Sequence, residues 1–204
     1  MYWLVWGLIG AGCYVQQRPL EYRTLASEIV ALRKDGHITC SGFWIGPNHA
    51  LTAKHCLSNF DSVTDFVGRG VVVVNARGDR DSDVGLLTLQ SKAAHPSATL
   101  TDRMPTPGSP VWAIGHHMGL GWWYTTGLAS GVVNGQFRYT APIMPGASGG
   151  PVFTETGSVC GVAVAVQQYP LQLIPGLFVL QPIPHMAYAV PMRKVLQFLH
   201  RSLP

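Results

Sequence analysis

The segment Pro145-Gly146-Ala147-Ser148-Gly149-Gly150-Pro151 carries the sharpest chemical signal in the chain. A serine hydroxyl at its own pKa is a poor nucleophile. It serves acyl transfer once a base takes its proton and backbone N–H groups receive the developing oxyanion. Glycines on both sides let the backbone turn its amides toward a substrate without side-chain obstruction. A base, and an acid to orient it, must come from elsewhere in the chain.

Two upstream segments offer them. Leu51-Thr52-Ala53-Lys54-His55-Cys56 ends an apolar run with a histidine, and Asp81-Ser82-Asp83-Val84-Gly85-Leu86-Leu87 sets an acid at the mouth of another. Each has an ordinary structural explanation when taken singly. A histidine beside a cysteine is often part of a core, and an aspartate before a strand is usually a solvated turn residue. Asp81 competes for the acid's role, but Asp83 directly precedes Val84 and the apolar run and is preferred. Gly146-Ala147-Ser148-Gly149-Gly150 also fits G-x-S-x-G, the nucleophile elbow of α/β-hydrolases. That arrangement needs an acid and then a histidine after the serine. Downstream of Ser148 there is no Asp, and Glu155 stands too near in sequence. The elbow is excluded.

The elements that must position these groups are short strands. The 23 Gly and 15 Pro punctuate many brief apolar runs, which favours a barrel or sandwich over a helical bundle. Ser27 to Leu32 reads as a strand, Lys34-Asp35-Gly36 as a hairpin turn, Ile38 to Ile45 as a second strand and Pro47-Asn48 as a second turn. His49 to Ala53 reads as a third strand. Val71 to Val74 and Val84 to Leu89 are apolar enough for buried strands. Thr99 to Pro110, rich in proline and glycine, reads as a linker between two halves. The second half runs through Val111 to Gly115, Leu128 to Val133 and Val159 to Val166. Met192 to His200 has apolar residues at helical spacing and reads as a closing helix. Four residues follow it, so no further binding domain is expected.

With 204 residues, 47% of them apolar and 12% charged, the chain can build one large all-β domain or two small barrels. A net charge of +4 is scattered in short pairs such as Arg33-Lys34 and Arg193-Lys194, which argues against a nucleic-acid binder. Four cysteines without a CxxC pair argue against a zinc or redox site. Cys40 and Cys56 stand on either side of an expected hairpin, where a bridge would fit and would place the domain in an oxidising compartment. Cys160 lies in an apolar strand and reads as a buried thiol. His116-His117, followed by Gly119-Leu120-Gly121-Trp122-Trp123-Tyr124, suggests a metal site at first sight. Adjacent histidines on a strand point to opposite faces and no third ligand is evident, so the segment reads as an aromatic loop.

Met1 to Val15 carries no charged side chain and is shorter than a spanning helix requires. Residues 1–17 are expected to form a secretory signal or membrane anchor, with Cys13 as a candidate for lipidation after Gly10-Ala11-Gly12. The expected location is secreted or periplasmic, anchored or not. The rival arrangement, with Arg18 and Arg23 held on the cytoplasmic side, leaves a disulfide unexplained.

From about Leu25 onward the sequence resembles the chymotrypsin/trypsin-like serine proteases. Thr52-Ala53-Lys54-His55-Cys56 is similar to their T-A-x-H-C, Asp83-Val84-Gly85-Leu86-Leu87 to D-[IVL]-A-L-L, and Gly149-Gly150-Pro151 follows Ser148 as in that family. Gly108 to Gly115 and Ala187 to Pro191 resemble bacterial, HtrA-like branches most nearly. The resemblance implies two six-stranded antiparallel β-barrels within residues 18–204, at about 25–98 and 108–204, with a short C-terminal helix and the cleft between the barrels. It implies His55 as base, Asp83 as its orienting acid and Ser148 as nucleophile of a peptide-bond hydrolase. The amides of Gly146 and Ser148 would form the oxyanion hole, and a Cys40–Cys56 disulfide would brace His55. No metal or organic cofactor is required.

Two departures bear on activation and specificity. Ala147 stands where digestive members carry an aspartate that pairs with a freshly cut N-terminus, so activation is not expected to use that ion pair. Pro142 stands where trypsin-type pockets carry an acid. With Ile143, Ala165 and Gln167 as the other expected pocket residues, basic P1 side chains are disfavoured and small or medium apolar ones expected. Tyr169 to His185 is expected between the last two strands, as pocket wall, membrane contact or core. The expected partner is a protein or peptide substrate. The competing expectation is a catalytically silent relative that binds peptides or a partner protein.

Overall fold

The structure, a computed structural model, describes residues 25–90, 94–174 and 176–203. Twelve strands among these form two closed barrels, β1-β2-β3-β6-β5-β4 and β10-β11-β12-β9-β8-β7, and every ladder between them is antiparallel. The first holds β1 (Ile29–Lys34), β2 (His37–Gly46), β3 (His49–Thr52), β4 (Ser62–Asp65), β5 (Gly70–Gly78) and β6 (Gly85–Gln90). The second holds β7 (Pro110–Gly115), β8 (Trp123–Val133), β9 (Gln136–Tyr139), β10 (Pro151–Thr154), β11 (Val159–Ile174) and β12 (Leu177–Pro191). One α-helix, α1 (Met192–Ser202), follows β12.

The tight hairpins follow local chemistry. Asp35-Gly36 and Asn134-Gly135 both adopt positive φ at both positions, the mirror-image turn that suits the right-handed twist of paired strands. Inside the first barrel Leu32, Phe43, Trp44, Leu51 and Leu87 are fully buried. The same cluster continues through Ile114, Phe153 and Val162 of the second barrel and through Met192, Val195, Phe198 and Leu199 of α1. The helix thus seals a core that runs across both barrels. A smaller cluster, centred on Phe137, Tyr139 and Val152, fills the second barrel.

Four local expectations are revised. Val71 to Val74 lies in a strand, but Val72 and Val74 face solvent at 61% and 62% exposure, because alternate residues of a barrel strand point outward. Tyr169 to His185 does not merely join the last two strands; β11 and β12 run on through it, and Gln168 to Pro182 pair only with each other as a projecting two-stranded ribbon. Trp123 and Tyr124 open β8 instead of lying in a loop. His116 and His117 follow the end of β7, where a 3-10 turn (His117–Gly119) turns both inward, and both are buried.

Candidate active site

The register of the first barrel brings His55 and Asp83 together. Thr52, the last residue of β3, pairs with Gly85, the first of β6, so the chain leaving one strand meets the chain entering the other. After extended Ala53, a 3-10 turn at Lys54–Ser58 carries His55 outward and Cys56 inward. His55 Nδ1 lies 2.7 Å from Asp83 Oδ2, and the His55 backbone N–H donates to Asp83 Oδ1 at 2.9 Å. Partial burial works against the Asp83 charge. The hydrogen bonds from the His55 ring and from the His55 and Lys54 amides outweigh it, holding the carboxyl below the ordinary aspartate range. Asp81 points elsewhere: it is 72% exposed and pairs with Arg201 at 3.1 Å.

Cys56 is joined to Cys40 of β2 by a disulfide, with Cα atoms 6.0 Å apart. A ring nitrogen of His55 and the two sulfurs lie within 4.8 Å of one another. The bridge therefore abuts the imidazole, and both sulfurs are committed to it.

The serine loop, residues 144–150, leads into β10 of the second barrel. Its order can be read from where each carbonyl goes. Met144 C=O accepts from Ala147 N–H at 3.0 Å, Pro145 C=O from Met118 N–H at 2.7 Å, and Ala147 C=O from Gly150 N–H at 3.0 Å. Gly146 C=O accepts from the Ser41 hydroxyl at 2.7 Å, and Ser148 C=O from the Ser41 N–H at 2.8 Å. In a trans peptide the N–H points opposite to the preceding carbonyl. With the Pro145 and Ala147 carbonyls turned inward, the amides of Gly146 and Ser148 turn outward, and neither donates to any group of the described residues.

Two glycines make that course possible. Gly146 has φ +92° and a Cβ there would sit 2.2 Å from the His116 carbonyl oxygen; Gly149 has φ +87° and its Cβ would meet the Ser41 carbonyl oxygen at 2.1 Å. The Ser148 carbonyl oxygen is 3.8 Å from Cys56 Sγ, so the loop lies directly beside the histidine turn.

Of the expected pocket residues, Pro142 is half-buried and Ile143 is buried in the second-barrel core. Ala165 and Gln167 belong to β11, but their side chains lie outside the described residues, as do residues 1–17 with Cys13. Cys160 is fully buried, and burial pushes its thiol up to about 12. The residue that sequence reasoning passes over is Ser41. Its one signal is a hydroxyl in the middle of a β2 stretch, Cys40 to Trp44, that is otherwise apolar or glycine and buried throughout.

A family model described as a trypsin-like peptidase domain matches residues 40–162, more than half of the 204 residues. No curated protein matches the chain.

Proposed function

The chain belongs to the trypsin-like peptidase family, and from that premise we propose that it is a serine endopeptidase that cleaves peptide bonds through an acyl-enzyme. Supporting this reading is one pairing: the His55–Asp83 hydrogen bond of one barrel beside a serine loop of the other in which the Gly146 and Ser148 amides donate to no group of the described residues.

In this mechanism Ser148 Oγ attacks the scissile carbonyl carbon while its proton passes to His55 Nε2. The carbonyl electrons move to oxygen, and the Gly146 and Ser148 amides receive the charge; losing one such donor typically costs about a hundred- to a thousand-fold in turnover. Asp83 holds the ring with Nδ1 protonated and stabilises the imidazolium. Collapse breaks the C–N bond, and the leaving amine takes the proton from His55. Water repeats the sequence on the ester, returning Ser148 and releasing the acid.

The substrate is a protein or peptide. Pro142 offers no carboxylate to a basic P1 side chain, which favours small or medium apolar ones. The Cys40–Cys56 bridge supports an oxidising location, secreted or periplasmic. Among the described residues no helix is long and apolar enough to cross a membrane, and an anchor is proposed for residues 1–17 on their apolar composition.

The test is labelling of the full chain with a fluorophosphonate probe. Labelling of the parent chain that disappears in Ser148→Ala and weakens strongly in His55→Ala is the expected result. A folded parent chain that takes up no label, or a Ser148→Ala chain that labels equally, overturns the assignment.

A further inference from the structure

Ser41 Oγ stands at the meeting point of three polar groups. It lies 2.7 Å from the Gly146 carbonyl oxygen, 2.8 Å from the His116 backbone nitrogen and 3.1 Å from His116 Nδ1. Its own backbone is engaged as well: the N–H donates to the Ser148 carbonyl at 2.8 Å, and the carbonyl accepts from the Thr52 hydroxyl at 2.6 Å. The residue has no exposed surface. One residue of β2 thus grips the serine loop at two carbonyls, either side of Ala147.

The direction of each bond follows from what each group can do. A hydroxyl has one proton, and the Gly146 carbonyl can only accept, so that proton is committed to Gly146. The oxygen's lone pairs then face the His116 N–H and Nδ1, which requires the proton of the neutral ring on Nδ1. The ring is kept neutral by burial, reinforced by the positive charge of Arg33 and by His117, which together bring its pKa to about 4.

This geometry bears on Gly146. Gly146 has no side chain, and its φ of +92° lies in a region where glycine moves readily. The Pro145–Gly146 peptide is held by Pro145 C=O to Met118 N–H, and the Gly146–Ala147 peptide by Ala147 N–H to Met144 C=O at one end and Gly146 C=O to Ser41 Oγ at the other. Of the six loop carbonyls that accept a hydrogen bond from the described residues, the one at Gly146 alone is held by a side-chain donor.

We propose that Ser41 is a positioning residue for the oxyanion-binding amides: its hydroxyl, backed by His116, fixes the Gly146–Ala147 peptide and so keeps the Gly146 N–H aimed at the cleft. The assignment rests on the serine-protease reading of the site. It concerns the transition state, because the loop's amides matter most once charge has developed on the substrate oxygen.

The experiment compares the full-length parent with Ser41→Ala on a peptide ester substrate, together with inhibition by a peptide boronate that forms a tetrahedral adduct. The expected result is a fall in kcat of about ten- to a hundred-fold with KM changed less than about threefold, and boronate affinity reduced in parallel with kcat. A Ser41→Ala protein with parental kcat and boronate affinity overturns the proposal while leaving the protease reading intact. A parent without activity or fluorophosphonate labelling removes the reading beneath it. Should the variant not fold, the parent chain supplies the second measurement, the ¹⁵N chemical shifts of the His116 ring. A proton on Nδ1 at neutral pH is expected. A proton on Nε2, leaving Nδ1 to accept the Ser41 hydroxyl, sends the bond away from Gly146 and overturns the assignment.

Discussion

At the scale of single residues the molecule contains two carboxyls that burial and hydrogen bonding push in opposite directions. Asp83 has three hydrogen bonds to its charged form and stays ionised. Glu28, just before β1, has almost no exposed surface, and its Oε2 has no hydrogen-bond partner among the described residues. Burial therefore raises its pKa to about 7. The folded state holds that proton more tightly than the unfolded chain does. The stability contributed is complete below the ordinary glutamate pKa and is lost as pH climbs through the folded value. Glu28→Gln keeps the shape of the protonated acid and cannot ionise. We expect it to match the parent in thermal unfolding near pH 4.5 and to exceed it at pH 8 by on the order of 2 kcal/mol. A variant equally or less stable at pH 8 means that Glu28 finds a partner when charged.

At the scale of elements the question is what holds the loop that delivers Asp83. The segment between β5 and β6 closes on itself, with Asp79 N–H donating to Val84 C=O at 2.8 Å and the Ser82 hydroxyl to Asp79 Oδ2 at 2.7 Å. Arg201, near the end of α1, spans Asp79 and Asp81 with a 3.1 Å contact to each. The Asp79 carboxylate is buried, so Arg201→Ala leaves it with Ser82 as its remaining side-chain partner. Because Arg201 is half exposed, solvent screens the loss, and we expect about 1–2 kcal/mol in urea unfolding. An unchanged midpoint would show that water replaces the guanidinium without penalty.

The same elements show what sequence makes legible. His55, Asp83 and the glycines around Ser148 lie at strand ends, where alternation stops and turn chemistry begins, and short-range pattern reports such places well. The Ser41–Gly146 bond joins residues 105 apart in sequence, and nothing local to either announces it. Four consecutive valines in β5 suit any strand by their β-branching, so the run could not disclose that two of them face solvent. The resemblance places Tyr169 to His185 between the last two strands, and its prolines mask the strands that run on through it. In the projecting ribbon these prolines are tolerated because each strand has a neighbour on one side only.

At the scale of the whole molecule, the proposed chemistry needs groups from two barrels, and the barrels share a core. Phe198 illustrates the dependence: it is buried on α1, in sequence continuous with the second barrel, yet belongs to the cluster that includes Leu32, Leu51 and Leu87 of the first. Truncating a buried phenylalanine typically costs about 3–5 kcal/mol, transfer and cavity together. If the seam were a weak contact, Phe198→Ala would loosen it and activity would melt away well before either barrel. A continuous core predicts otherwise. Secondary structure followed by far-UV circular dichroism, tertiary packing followed by tryptophan fluorescence and residual esterase activity should fall together in one transition, displaced downward as a unit in the variant. Two separated transitions, with activity lost in the first, would instead make each barrel its own folding unit and the cleft a joint between them.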